Sequence, residues 1–158
     1  VLVVCSEHLV YMQEPAQRQI SIELCLRSSA PSVARGRQEE IRERAESLAD
    51  DGRVADISTQ FWSTRVCAPG GGAADRCPRV VGEIFAAAAE ADLTIEPYFR
   101  RRPASFDDEE VIFLPVICLL VRRDGDIHGI YPATEDCKGH TVMDAIEMLE
   151  DQRPIENC

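Results

Sequence analysis

The segment 111–121, VIFLPVICLLV, is apolar on both of its alternating sets of side chains. A strand of this kind has no face to give to water. It requires covering layers above and below, and so a sheet with further elements on both sides. The run is too short to cross a membrane as a helix, and Pro115 interrupts it. Arg122-Arg123-Asp124-Gly125 then reads as a hairpin turn, with Ile127, Ile130 and Tyr131 on the returning strand.

The remaining elements are expected to supply the covering layers. Ile20, Ile22, Leu24 and Leu26 alternate with Ser21, Glu23, Cys25 and Arg27, a period of two that predicts a strand. Ser29-Ala30-Pro31-Ser32 follows as a helix-start signal with proline in the first turn. Ala34, Ile41, Ala45 and Leu48 continue at helical spacing to an end near Asp51-Gly52, with Glu40/Arg44 and Arg42/Glu46 on the outer face. Residues 54–66, rich in β-branched and aromatic types, predict a second strand, and Gly70-Gly71-Gly72 a flexible loop. Pro78 opens a helix striped by Val80, Val81, Ile84, Phe85 and Ala88. Residues 93–99 read as a short edge segment broken by Pro97, and 100–108 as an exposed connection. Thr141, with Asp144 three residues on, caps a last helix striped by Val142, Ala145, Ile146 and Leu149.

The chain has 158 residues, enough for one core and too few for two ordinary domains. We expect one domain at 19–152, a peripheral extension at 1–18 and a tail at 153–158. The net charge of −11 makes nucleic acid an unfavourable default partner, although the Debye length falls to ~3 Å near 1 M salt and would screen that repulsion. Lys138 is the only lysine beside many arginines. With no membrane-length run and a poor signal-peptide pattern at 1–11, a cytoplasmic location without membrane association is expected.

Seven cysteines form an odd set without a C-x-x-C pair, so free thiols are expected, as are the absence of a cofactor and of a metal. Cys67, Cys77, Cys137 and His140 are the only grouping with a trace of zinc-ligand spacing, and 67-to-77 is no known ligand knuckle. Cys67 and Cys77 flank the glycine loop and form a candidate redox pair, while Cys25 and Cys118 are expected to be buried in strands. Arg100, Arg101 and Arg102, beside Tyr98 and Phe99, are the candidate nucleic-acid residues, weighed against a solvated loop balanced by Asp107, Asp108, Glu109 and Glu110. His128 and His140 have no nucleophile at recognisable spacing, so no hydrolase triad is indicated.

The element order is a βαβ half, a connecting helix and a ββα half: an α/β fold with a central mixed sheet flanked by helices, its first two strands parallel. Leu114-Pro115-Val116-Ile117-Cys118-Leu119-Leu120, the turn at Asp124-Gly125, the short return strand and the terminal helix resemble thioredoxin. The resemblance implies a thioredoxin-like βαβ-α-ββα fold, a cis peptide before Pro115, and a site where Pro115 faces Ser29-Ala30-Pro31-Ser32. These four stand where the family carries its C-x-x-C. Serine forms neither a thiolate near neutral pH nor a disulfide, so dithiol exchange is lost. The helix start still offers free N–H groups, which implies a non-catalytic adaptor that holds a protein or small-molecule ligand at Ser29, Ala30, Pro31, Ser32 and Pro115.

The span 20–150 also resembles a group of small proteins of halophilic archaea, often labelled helix-turn-helix domain proteins, through Leu26-Arg27-Ser28-Ser29-Ala30-Pro31, Phe61-Trp62, Ile95-Glu96-Pro97-Tyr98-Phe99 and Leu114-Pro115-Val116-Ile117. That resemblance implies DNA as the partner and transcriptional regulation as the role, with Arg35, Arg37, Arg42 and the arginine cluster as contacts. A thiol-based redox sensor is the remaining alternative, and the sequence leaves the oligomeric state open.

Overall fold

The computed structural model describes residues 20–68, 77–102 and 110–158. Strand β1 (Ser21–Arg27) leads into helix α1 (Ser32–Asp50) and then β2 (Asp56–Trp62) and β3 (Arg65–Cys67). Helix α2 (Arg79–Glu90) precedes β4 (Arg100–Arg102), β5 (Val111–Phe113), β6 (Ile117–Arg123) and β7 (Asp126–Tyr131). A hairpin of β8 (Ala133–Glu135) and β9 (Lys138–His140) comes before α3 (Val142–Glu150).

The central sheet has the order β2-β1-β6-β7. β1 and β2 run parallel, joined through α1, and β6 is antiparallel to both β1 and β7. The pleat divides the core in two. Ile22, Leu24, Leu26, Ile117, Leu119 and Val121 point to one face, where they pack against the buried stripes Ile41, Ala45, Leu48 of α1 and Val142, Ala145, Ile146, Leu149 of α3. Cys25, Cys118 and Leu120 point to the other, against Val81 and Ile84 of α2, Trp62, Phe99 and Ile112. The chain is therefore a mixed α/β fold with a mixed central sheet and three helices among the described residues.

Several sequence expectations hold in detail. Asp51 ends α1 and Gly52 follows at φ 72°. Pro78 opens α2. Asp124 and Gly125 take φ 54° and 86° in the β6–β7 turn. Thr141 and Asp144 form a reciprocal capping box, with Asp144 N donating to Thr141 Oγ1 at 3.1 Å and Thr141 N to Asp144 Oδ2 at 2.8 Å. Gly129 on β7 is set by close approach, since a Cβ there would lie 2.8 Å from Val121 Cγ2.

Others are corrected. The 111–121 run is two strands, not one, because the chain leaves a second sheet, ordered β3-β5-β4, at Phe113 and enters the central sheet at Ile117. The 54–66 strand divides in the same way, β2 lying in the central sheet and β3 in the second. Residues 100–102 form a strand rather than a connection, and residues 93–99 contribute only the bridge Thr94–Thr134. The cis peptides lie at Glu96-Pro97 and Tyr131-Pro132, so Pro115 is trans, in the extended passage between the two sheets. α1 begins at Ser32 with Pro31 at its cap position, and no side-chain hydroxyl caps it. Residues 1–18, the glycine loop and the acids 107–109 lie outside the described residues.

The segment after α3 is packed down. Ile155 is buried, Tyr131 Oη donates to its carbonyl at 2.5 Å, and the Asn157 amide bridges Ile130 N and O at 2.8 and 2.9 Å. Asn157 N and Cys158 N both donate to His128 O, so this segment covers the outer edge of β7.

Candidate functional site

Two surfaces collect the residues singled out above. The first is the outer face of the β3-β5-β4 sheet. Ile112, fully buried, fixes which side of β5 faces inward, so Val111 and Phe113 face out. Register places Arg65 and Arg100 on either side of Phe113, and Cys67 and Arg102 on either side of Val111. Arg65, Arg100 and Arg102 thus share one exposed face around an aromatic ring. The guanidinium carbons of Arg100 and Arg102 sit 5.3 and 5.5 Å from the Phe113 ring centroid.

Arg101, on the opposite parity, lies on the α2 side of the sheet while remaining exposed. It lies 5.2 Å from the Phe85 ring centroid and pairs with Glu110 at 3.1 Å. The arginine triplet is therefore split, with one member holding the sheet against α2 and two facing solvent. Arg42, Arg44, Arg79, Arg122, Arg123 and Arg153 are paired with carboxylates. No ion pair engages Arg65, Arg100 or Arg102 among the described residues. A guanidinium held over a ring keeps its N–H fork free for a planar or phosphate acceptor.

The structure does not bring Arg35 and Arg37 to this face. They lie on α1, across the central sheet, and Arg42 is engaged by Glu46 at 3.3 Å. The signal for Arg65 and Phe113 was absent from local sequence, because Phe113 pairs with Arg100 across 13 positions and with Arg65 across 48.

The second surface lies at the start of α1. Gln38 Nε2, on a nearly buried side chain, donates to Arg27 O at 3.1 Å and Val116 O at 2.9 Å. Trp62 Nε1 donates to Pro115 O at 3.1 Å, Ser28 Oγ to Trp62 O at 3.2 Å, and the Arg27 guanidinium to Leu114 O. These bonds hold the passage 114–116 against Arg27 at the end of β1, Gln38 of α1 and Trp62 of β2. Beside them an open groove of about 780 Å³ runs between α1 and α3, floored by Ala34, Ile41, Val116, Val142 and Met143. Of Ser29, Ala30, Pro31, Ser32 and Pro115, Pro31 lines it.

The thiols divide by burial. Cys25 and Cys118 face each other across β1 and β6 with no exposed surface, and burial pushes both thiols far up. Cys77 is also raised, first by burial and then by Cys67 nearby, while its Sγ lies 3.6 Å from Pro78 O. None of these three is an activated thiolate. Cys137 is exposed at the β8–β9 turn, and His140 makes an edge contact with Tyr131. Among the described residues no group of three or more His, Cys, Asp or Glu is placed to hold a metal ion, and no helix is long and apolar enough to cross a membrane.

A helix-turn-helix reader needs two successive helices joined by a tight turn. Among the described residues, strands separate α1 from α2 and α2 from α3. Searches of curated proteins and of solved structures return no match. The family described as "Helix-turn-helix domain" matches residues 14–154, nearly the whole chain. The chain belongs to this helix-turn-helix domain family.

Proposed function

We propose that the chain is a DNA-binding regulatory protein of the cytoplasm that meets the phosphate backbone with the outer face of the β3-β5-β4 sheet. The observation that carries this reading is the trio Arg65, Arg100 and Arg102 around Phe113, in no ion pair among the described residues of an otherwise acidic chain. Family membership supports DNA as the partner. The net charge opposes binding at long range, but at a Debye length of ~8 Å in physiological salt a local patch governs contact.

Fluorescence anisotropy with labelled duplexes over a salt series tests it. The triple variant R65A/R100A/R102A should weaken binding and flatten the slope of log K against log salt by roughly 2.7, the value for three lost phosphate contacts. R35A/R37A should change neither. Equal binding by the triple variant and the unaltered chain would remove the proposal.

A second reading is favoured by the groove beside α1. The order β2-β1-β6-β7, with β6 alone reversed, supports a thioredoxin-like scaffold, and the groove would hold a peptide or small apolar ligand without redox chemistry. Dithiol-dependent turnover in an insulin-reduction assay would sink it. The redox-sensor reading rests on Cys67 and Cys77 alone, and a free-thiol count unchanged by peroxide would end it.

A further inference from the structure

The two edges of the central sheet are treated differently. The β7 edge is covered by the segment 153–158, whereas β2 pairs with β1 on one side and has no partner on the other among the described residues. Exposed edges are ordinarily protected by lysine, proline, bulges or shortness. β2 has none of these. It is seven residues long, keeps unbroken register with β1, and carries the sequence DISTQFW with one charge, at Asp56. Its outer rim also carries Phe61, 61 % exposed, one of two large apolar side chains left in the open among the described residues.

We propose that β2 pairs antiparallel with β2 of a second copy of this chain, joining the two central sheets into one. A two-fold axis normal to the sheet keeps each side chain on its own face. All seven residues pair only if Thr59 lies on the axis. Phe61 then meets Ile57 of the partner subunit, Ser58 meets Gln60 of the partner subunit, and Asp56 meets Trp62 of the partner subunit. Apolar is set against apolar in the first pair and polar against polar in the second. The two Asp56 carboxylates fall at opposite ends of the ribbon, ~20 Å apart. For a chain of charge −11 this nearly uncharged strand is where two copies approach at least electrostatic cost.

The ends of the neighbouring helix are complementary as well, while its middle carries the exposed acids Glu39, Glu43 and Glu46. The same axis sets the α1 helices antiparallel on one face. The half of α1 bearing exposed Arg35 and Arg37 then lies toward the partner's end that bears exposed Asp50 and Asp51. The proposal is independent of the DNA reading, though it would set both arginine faces on one side of the joined sheet.

Sedimentation velocity on the full chain over a dilution series tests it. The unaltered chain should have the mass of two chains. T59K and T59E, at an exposed position on the axis, should each be monomeric with unchanged far-ultraviolet circular dichroism, because two like charges would face each other. An equimolar mixture of T59K and T59E should recover the dimer, a result that a folding defect would not produce. A monomeric unaltered chain, single variants that stay dimeric, or a mixture that stays monomeric would overturn the proposal.

Discussion

Gln38 shows how one buried polar side chain can hold a site together. It lies on the inward stripe of α1, where the helical pattern calls for an apolar residue, and its amide ties two carbonyls of different elements. Replacing it with leucine is expected to cost about 1–3 kcal/mol in a urea melt, since those carbonyls lose a donor while remaining near the core. Gly129→Ala is expected to cost about 1–3 kcal/mol for the opposite reason, overpacking against the fully buried Val121. Tyr131 gives a pH signature. Burial first, and then the charge of Glu135, push its phenol from 10.0 to about 12. The raised folded value means that its contribution to stability is complete below pH 10 and is lost as pH rises from 10 toward about 12. The alkaline loss of stability should be smaller in Y131F than in the unaltered chain, as read by denaturant midpoints across that window. Little of this residue-level detail was legible in the sequence, because each effect depends on a neighbour many positions away.

Elements were legible wherever a single period persisted. β1, the stripes of α1, α2 and α3, and the β6–β7 turn follow from local spacing and turn chemistry. Thr141 and Asp144 even specify the cap atom by atom, and T141A should cost about 1 kcal/mol of stability by denaturation. The errors arose where one period ran through two sheets. Leu114 is as buried as Ile112 and Leu119, so nothing in the apolar run marks the point at which the chain leaves one sheet for the other. β4 was hidden because arginine-arginine-arginine has no strand signature of its own. Its conformation is fixed by β5 beside it, by Phe85 and Phe113, and by Glu110. The β8–β9 turn was hidden because Asp136 and Cys137, rather than glycine, take positive φ there.

At the scale of the molecule, cover on both sides is found for β6, by helices on one face and by a helix and the second sheet on the other, whereas β5 turns Val111 and Phe113 outward. The candidate site divides along the same layers. The loop at Ser29–Ser32 and the arginine cluster belong to different surfaces, and the cluster became interpretable only when register added Arg65 and Phe113. The docked segment beyond α3 has a consequence of its own. A chain cut after Arg153 loses Ile155 and Asn157, leaving both margins of the central sheet unsheathed among the described residues. A body with one sticky margin closes into a pair, whereas a body with two can add copies without end. Light scattering of the shortened chain should therefore climb with time and concentration, growing toward fibres where the intact chain stops at a fixed size.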